Sequence, residues 1–243
     1  TIVVEDDHYR TEFGQVDGKK QTTNWTYSKP TNEGRANARN EFEQARFEAE
    51  AIWKKKKDSG YFTNVEDIDS FTFVEPMLAK KFEDYKDKLE YPLYCQPKLD
   101  GLRCVVSKQG MYSRNGKKYE SCPHIMEALQ PFFDKFPHAV LDGELYNHAL
   151  KHDFNKITSL VKKTKPTEED LKESAELVEY WVYDLIDTGL SFLERISFLK
   201  KNVWGITDCI CQVDTYQIES SDKMSELYGF FIGEGFEGQM VRT

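Results

Sequence analysis

Gln96-Pro97-Lys98-Leu99-Asp100-Gly101-Leu102-Arg103 lies between two strand-like runs, Tyr91-Pro92-Leu93-Tyr94-Cys95 and Cys104-Val105-Val106-Ser107. Lysine normally belongs on solvated surface, so a lysine in a β-rich run, followed by Asp-Gly and then Arg, needs a reason. Chemistry is one. An amine becomes a nucleophile when its pKa is lowered, and a neighbouring cation, Arg103 or a bound metal, pushes that way by disfavouring the charged form. The other reading is an exposed hairpin with Asp100-Gly101 as its turn. This stretch alone leaves both open.

Further pieces follow in order: Ser113-Arg114-Asn115-Gly116, Leu141-Asp142-Gly143-Glu144-Leu145, Tyr180-Trp181-Val182-Tyr183-Asp184 and Glu237-Gly238-Gln239-Met240-Val241-Arg242. The series resembles the covalent nucleotidyltransferases, the superfamily of ATP-dependent DNA ligases, RNA ligases and mRNA capping enzymes. Within it the chain is most similar to DNA ligases of bacteriophage type, over roughly residues 74–243. The resemblance implies an α+β fold, an ATP-grasp-like nucleotidyltransferase (adenylation) domain of antiparallel sheets flanked by helices.

The resemblance also implies roles. Lys98 would attack the α-phosphate of ATP and carry AMP as a phosphoramidate, whose P–N bond is less stable than a phosphoester and keeps the nucleotide primed for transfer. Gln96 sits where a side chain two residues before the nucleophile helps read the base; glutamine donates and accepts, which is compatible with adenine. Arg103 would reach the ribose hydroxyls. Arg114 would lie near phosphate, a task that suits a fork of donors, and Tyr183 would stack on the purine. Glu144 and Glu237 correspond to the metal-associated carboxylates. Pro76-Met77-Leu78-Ala79 is similar to the family's lead-in to the nucleotide pocket, an apolar segment suited to line a flat purine.

The residues themselves say part of this. Val140 to Tyr146 alternates like a strand, so Asp142 and Glu144 share a face, where two carboxylates repel unless a cation or donor sits between them. Mg²⁺ is the expected cation, with Mn²⁺ as a substitute, because its preference for hard oxygen suits a site that also holds triphosphate. Asp142 is read as shaping the strand. Trp181 shares a face with Tyr183 and is core or a second wall.

The 243 residues have room for one large domain, or a small one plus a medium one, and 39% hydrophobic residues suffice for an ordinary core. No apolar run approaches a membrane span, and Thr1-Ile2-Val3-Val4-Glu5-Asp6-Asp7 lacks signal-peptide order. A soluble cytoplasmic protein is expected, in the host cytoplasm if viral. Five cysteines without metal spacing read as reduced and packed. The net charge of −9 argues against a surface that grips nucleic acid all over. Lysine pairs such as Lys80-Lys81, Lys117-Lys118 and Lys200-Lys201 leave room for a local basic groove or for solvated faces. His124, His138, His148 and His152 are scattered and read as structural.

Residues 1–64 form a unit of their own. Tyr9 to Gly18 and Gln21 to Tyr27 read as a hairpin. Asn40 to Trp53 reads as a helix, opened by a capping box to Glu43, with an apolar stripe at Phe42, Ala45, Ala49, Ile52 and Trp53 and a stop at Lys54–Lys57 and Gly60. The order resembles a WGR-like domain, although Phe13-Gly14-Gln15 stands where the name-giving triplet would fall. DNA binding and a packing role both remain open for it. Asn64 to Ser70 reads as a linker, which puts the adenylation domain at residues 65–243. Helices are expected at 123–136, on Ile125, Leu129, Phe132 and Phe133, then from Asp153, from Thr167, over 190–199 and through Leu227. The family's Lys-x-Lys motif and oligonucleotide-binding domain are expected to be lacking.

The expected activity is sealing of nicked double-stranded DNA by a monomer through lysyl-AMP and DNA-adenylate. An RNA ligase or capping guanylyltransferase using the same lysine is the rival enzyme. A catalytically silent DNA-binding fragment is the rival of another class.

Overall fold

The computed structural model describes residues 1–15, 18–58, 61 and 74–243, in two compact units, Thr1–Thr72 and Phe73–Thr243. The Asp17-Gly18 turn, the Gly60 stop, the linker with its 64/65 boundary, and Phe73 fall wholly or partly outside the described residues.

In the first unit, β2 (His8–Phe13) is the central strand. It pairs antiparallel with β1 (Ile2–Glu5) on one side. On the other side the return strand runs in two pieces, β3 (Gln21–Thr22) and β4 (Thr26–Tyr27). Helix α1 (Glu41–Asp58) begins at the expected capping box: the Glu43 amide donates to Asn40 Oδ1 at 2.9 Å, and the Asn40 amide donates to Glu43 Oε2 at 3.0 Å. Its stripe is narrower than the sequence suggested. Ala45 and Ala49 are buried, whereas Phe42 and Trp53 are exposed. The lysine run does not stop the helix but forms part of its last turns, where good helix propensity and the negative end of the dipole both favour lysine.

The second unit holds two sheets. The larger has the order β11-β10-β9-β6-β7-β8, from β6 (Leu102–Ser107), β7 (Gly110–Ser113), β8 (Lys118–Tyr119), β9 (Leu141–Tyr146), β10 (Glu179–Leu185) and β11 (Ile210–Gln212). Its pairs are antiparallel except β10 with β11, which is parallel. The smaller is β12-β5-β13, from β5 (Leu93–Lys98), β12 (Tyr216–Ile218) and β13 (Gly238–Arg242), all antiparallel. Helices α2 (Pro123–Lys135), α3 (Phe154–Val161), α4 (Glu168–Leu177), α5 (Phe192–Asn202) and α6 (Ser221–Glu234) complete the unit. The expected stripe of α2 is buried whole, and each such large side chain contributes about 2 kcal/mol. It joins β6, β9 and β10 in the main core, while Leu93, Cys95, Ile218 and Phe231 form a second core where α6 covers the small sheet. Cys95, Cys104 and Cys122 are buried, and all five cysteines are unpaired.

The hairpin reading of the opening stretch is overturned. β5 and β6 do not pair with each other; β5 belongs to the small sheet and β6 to the large one. Leu99-Asp100-Gly101 is therefore a crossing between sheets. Leu99 anchors it in a small cluster with Tyr146 and Val213. Gly101 is required by close approach, because a Cβ there would lie 2.6 Å from the Leu145 carbonyl oxygen and 2.7 Å from Glu144 Cγ. Gly143 answers a second constraint. Its missing side chain makes room for the Tyr180 ring, whose hydroxyl donates to the buried Cys104 carbonyl at 3.0 Å.

Candidate active site

Lys98 ends β5 at the crossing, with its side chain about 41% exposed. Pairing with β13 sets Gly238 opposite Lys98, so the preceding residue, Glu237, arrives beside the nucleophile candidate. The Glu237 amide donates to the Lys98 carbonyl at 3.0 Å, and the two side chains form an ion pair.

The cation expected beside the amine is engaged elsewhere. Arg103 donates from Nε and Nη2 to the two carboxylate oxygens of Asp142, at 3.0 and 2.6 Å, and from Nη2 to the Met77 carbonyl at 2.8 Å. The Pro-Met-Leu-Ala segment is thus tied to the large sheet through one guanidinium. Asp142 does more than shape a strand. It is buried, and it also accepts the Tyr183 hydroxyl at 3.2 Å. Burial pushes its carboxyl up, while the Arg103 hydrogen bond pulls it down. The guanidinium carbons of Arg103 and Arg242 lie 5.9 and 5.7 Å from the Tyr183 ring centroid, and burial pushes the phenol well above its usual range.

Glu144 sits opposite Arg103 in the β6–β9 register. Burial pushes its carboxyl up to about 8, opposed by Arg103, by the Gly101 amide donated to it and by Lys98. Because Arg103 is bound to Asp142, Glu144 has no bidentate partner of its own among the described residues. Next along the fold, Asp184 accepts Arg195 Nε at 2.7 Å and lies 3.6 Å from Arg242 Nη1, which fixes the end of β10.

Gln96 is buried two residues before Lys98 and, by strand period, on the same face. Its Nε2 donates to the Tyr183 carbonyl and to Thr215 Oγ1, both at 3.0 Å, while its buried Oε1 has no partner among the described residues. The structure brings Gln96, Lys98, Arg103, Glu144, Tyr183 and Glu237 to one junction between the sheets. Arg114 is not joined to them. It is exposed on the β7–β8 turn, and among the described residues it makes no hydrogen bond or ion pair.

Sequence reasoning read Asp142 only as shaping the strand and gave no role here to Thr215 or Arg242. Asp142 could have been found from its place on the Glu144 face, whereas nothing in the sequence singles out Thr215. His148 is held by structural contacts: Nδ1 lies 2.9 Å from the Tyr146 hydroxyl and the ring stacks on Phe236 at 4.4 Å.

Residues 76–243 match the sequence model of the ATP dependent DNA ligase domain. The chain belongs to this family. Solved structures agree on the fold of this ligase domain. A Lig E DNA ligase is 23% identical, with a TM-score of 0.55, and the match covers 70% of this chain and 62% of that one. The Chlorella virus DNA ligase-adenylate is 21% identical, with a TM-score of 0.52 and coverage of 71% and 60%. A structure named Pmar-Lig_Pre is 20% identical, with a TM-score of 0.55 and coverage of 68% and 41%. The chain therefore spans between 41 and 62% of the length of these ligases. No curated protein sequence matches it. The family match begins at residue 76 and leaves the first unit outside it, so the WGR-like resemblance gains no support there. Among the described residues, no helix is long and apolar enough to cross a membrane.

Among the described residues no three His, Cys, Asp or Glu side chains are arranged to hold a metal by themselves. Magnesium does not require that, since it commonly takes one or two carboxylates with phosphate and water oxygens completing its shell. Glu144 and Glu237 fit as those donors, being hard oxygen ligands that both interact with Lys98.

Proposed function

We propose that this ligase domain carries out the first step of nick sealing, self-adenylation at Lys98. Nζ attacks the α-phosphorus of ATP, the bond to the β-phosphate bridging oxygen breaks, pyrophosphate leaves, and the amine gives up a proton. The observation that supports this reading is the half-exposed Lys98 amine at the one junction that also gathers Gln96, Arg103, Glu144, Tyr183 and Glu237. The ion pair with Glu237 has to open before the nitrogen lone pair can reach phosphorus.

Tyr183 stacks on the purine, Gln96 reads its edge and Arg103 meets the ribose. Asp142 holds both Arg103 and Tyr183 in place, so the sugar and base contacts are pre-positioned by one buried carboxylate. Bound magnesium, held by Glu144 and Glu237, would supply positive charge against the triphosphate. Arg114 is free to meet phosphate from the β7–β8 turn. In the sealing reaction AMP passes from Lys98 to the 5′-phosphate of nicked duplex DNA, and the 3′-hydroxyl then displaces it.

Intact-mass measurement with ATP and Mg²⁺ tests the reading. One adenylyl group should appear on the wild-type chain and none on Lys98→Ala. Labelling by GTP alone would indicate a capping guanylyltransferase, and nick binding without any label on Lys98 would indicate a silent DNA-binding fragment.

A further inference from the structure

Resting on the proposed adenylation site, we infer that Thr215 is a positioning residue that sets nucleobase specificity, acting through Gln96. Thr215 immediately precedes β12, and because Tyr216 pairs with Cys95, continuing that antiparallel register places Thr215 opposite Gln96. Its hydroxyl oxygen accepts one hydrogen of Gln96 Nε2 at 3.0 Å, and the Tyr183 carbonyl accepts the other at 3.0 Å.

A carboxamide carries two N–H donors and one carbonyl acceptor. Both donors are consumed inside the protein. The carbonyl at Tyr183 cannot donate, so the amide cannot be turned over without setting oxygen against oxygen. What is left is Oε1, buried and without a partner among the described residues. Buried polar atoms are almost always satisfied, so an orphaned acceptor at this place calls for a donor from water or ligand. Gln96 bonds the backbone of Tyr183, the residue proposed to stack on the base, which sets Oε1 at the edge of a stacked purine. Adenine presents an exocyclic N–H donor at its 6-position, and guanine presents a carbonyl acceptor there. Glutamine by itself could serve either base. Thr215, together with the Tyr183 carbonyl, turns it into an acceptor that fits adenine and repels guanine.

Removing the hydroxyl leaves the Tyr183 carbonyl as the one remaining hold on the Gln96 amide, which can then swing and turn an N–H toward a carbonyl as well as its oxygen toward an amine. The test compares wild type, Thr215→Val and Thr215→Ser by covalent labelling of the full chain with ATP, GTP and purine riboside triphosphate, which lacks the 6-amino group. Wild type should prefer ATP over both other nucleotides. Thr215→Val should reduce the ATP-to-GTP ratio roughly tenfold, mainly through KM, the factor that one buried hydrogen bond commonly carries, and Thr215→Ser should restore it. An unchanged ratio in Thr215→Val, with Lys98 still labelled by ATP, would overturn the inference and leave the adenylation reading standing. Absence of ATP labelling in wild type would instead remove that reading. Should Thr215→Val fail to fold, the wild-type comparison still decides, because equal use of ATP and purine riboside triphosphate would show that Oε1 reads no amine.

Discussion

Glu237 meets Lys98 twice, once through a backbone amide donated to the Lys98 carbonyl at 3.0 Å and once through an ion pair between their side chains. The first contact belongs to the sheet and persists; the second can open. Both side chains are more than 40% exposed, so the ion pair adds about 1 kcal/mol or less to stability. Lys98→Ala and Lys98→Arg should therefore unfold at nearly the wild-type denaturant concentration while forming no adenylate, since a guanidinium does not lose its proton. Glu237→Gln should fold as well and label at least about a hundredfold more slowly, because a carboxamide is a poorer magnesium ligand than a carboxylate and the positive charge against the triphosphate is weakened. Quench-flow labelling and urea titration measure the two effects separately.

Asp142→Asn should be damaging to the fold. Asp142 is buried and neutralises Arg103 through two hydrogen bonds, so its loss strands a guanidinium that is itself only 19% exposed. Breaking one side of such a pair costs about 3 kcal/mol. The urea midpoint should fall accordingly. An unchanged midpoint would show that Arg103 finds another partner.

Gly101→Ala and Gly143→Ala separate two reasons for glycine. At Gly143 the new Cβ would lie 2.5 Å from the Trp181 carbonyl and 2.7 Å from the Tyr180 ring, inside the central sheet, and about 2 kcal/mol or more of stability should be lost. At Gly101 the conflict is with the Leu145 carbonyl and the Glu144 side chain. The crossing can shift, but Glu144 and Lys98 shift with it, so the adenylation rate should fall by a larger factor than the folding equilibrium. Paired measurement of both quantities on the two variants checks the contrast.

These glycines also show what was legible in the sequence. Helix α2, the cap of α1 and strand β9 were readable because each depends on local spacing. The hairpin alternative at Asp100-Gly101 could not be excluded from the sequence because an Asp-Gly pair reports a tight turn but not the sheet that the next strand joins; pairing of β5 with β12 and β13 comes from residues more than a hundred positions away. The exposed Phe42 and Trp53 of α1 fail for a related reason, since periodicity marks a face without saying how wide a sheet covers it. At the site, side chains in ordered motifs were legible, and their pairing was not. Arg103 was read toward the ribose and as one possible cation beside the amine, but its pairing with Asp142 was not legible, and Thr215 carries no local signal at all.

Acid should reveal the capping box of α4. Asp170 pairs with Lys163 and accepts the Thr167 amide at 2.9 Å, and these contacts, the Lys163 one foremost, hold its carboxyl down at about 2, below its usual value of 3.8. A depressed acid contributes stability that is fully present above its unfolded pKa and is lost as pH falls through the folded one. Wild type should therefore exceed Asp170→Asn in melting temperature above about pH 4, with the gap closing between pH 4 and 2. A gap independent of pH would assign the effect to the hydrogen bond alone.

Tyr183 serves the fold and the proposed base platform at once, and two substitutions pull these apart. Tyr183→Phe removes only the hydroxyl bonded to Asp142 at 3.2 Å, and Asp142 keeps both Arg103 contacts, so about 1 kcal/mol of stability should be lost with little change in the KM for ATP. Tyr183→Ala removes the ring between Arg103 and Arg242. Stacking of a base on an aromatic ring is worth about 1–3 kcal/mol, so the KM for ATP should rise by roughly tenfold or more beyond any loss of stability. The Gln96 contact is made to the backbone of Tyr183 and survives both changes, which leaves base selection as an internal control. If Tyr183→Ala lowers the urea midpoint while the KM for ATP stays at its wild-type value, the ring is part of the core, and the purine is held by another surface.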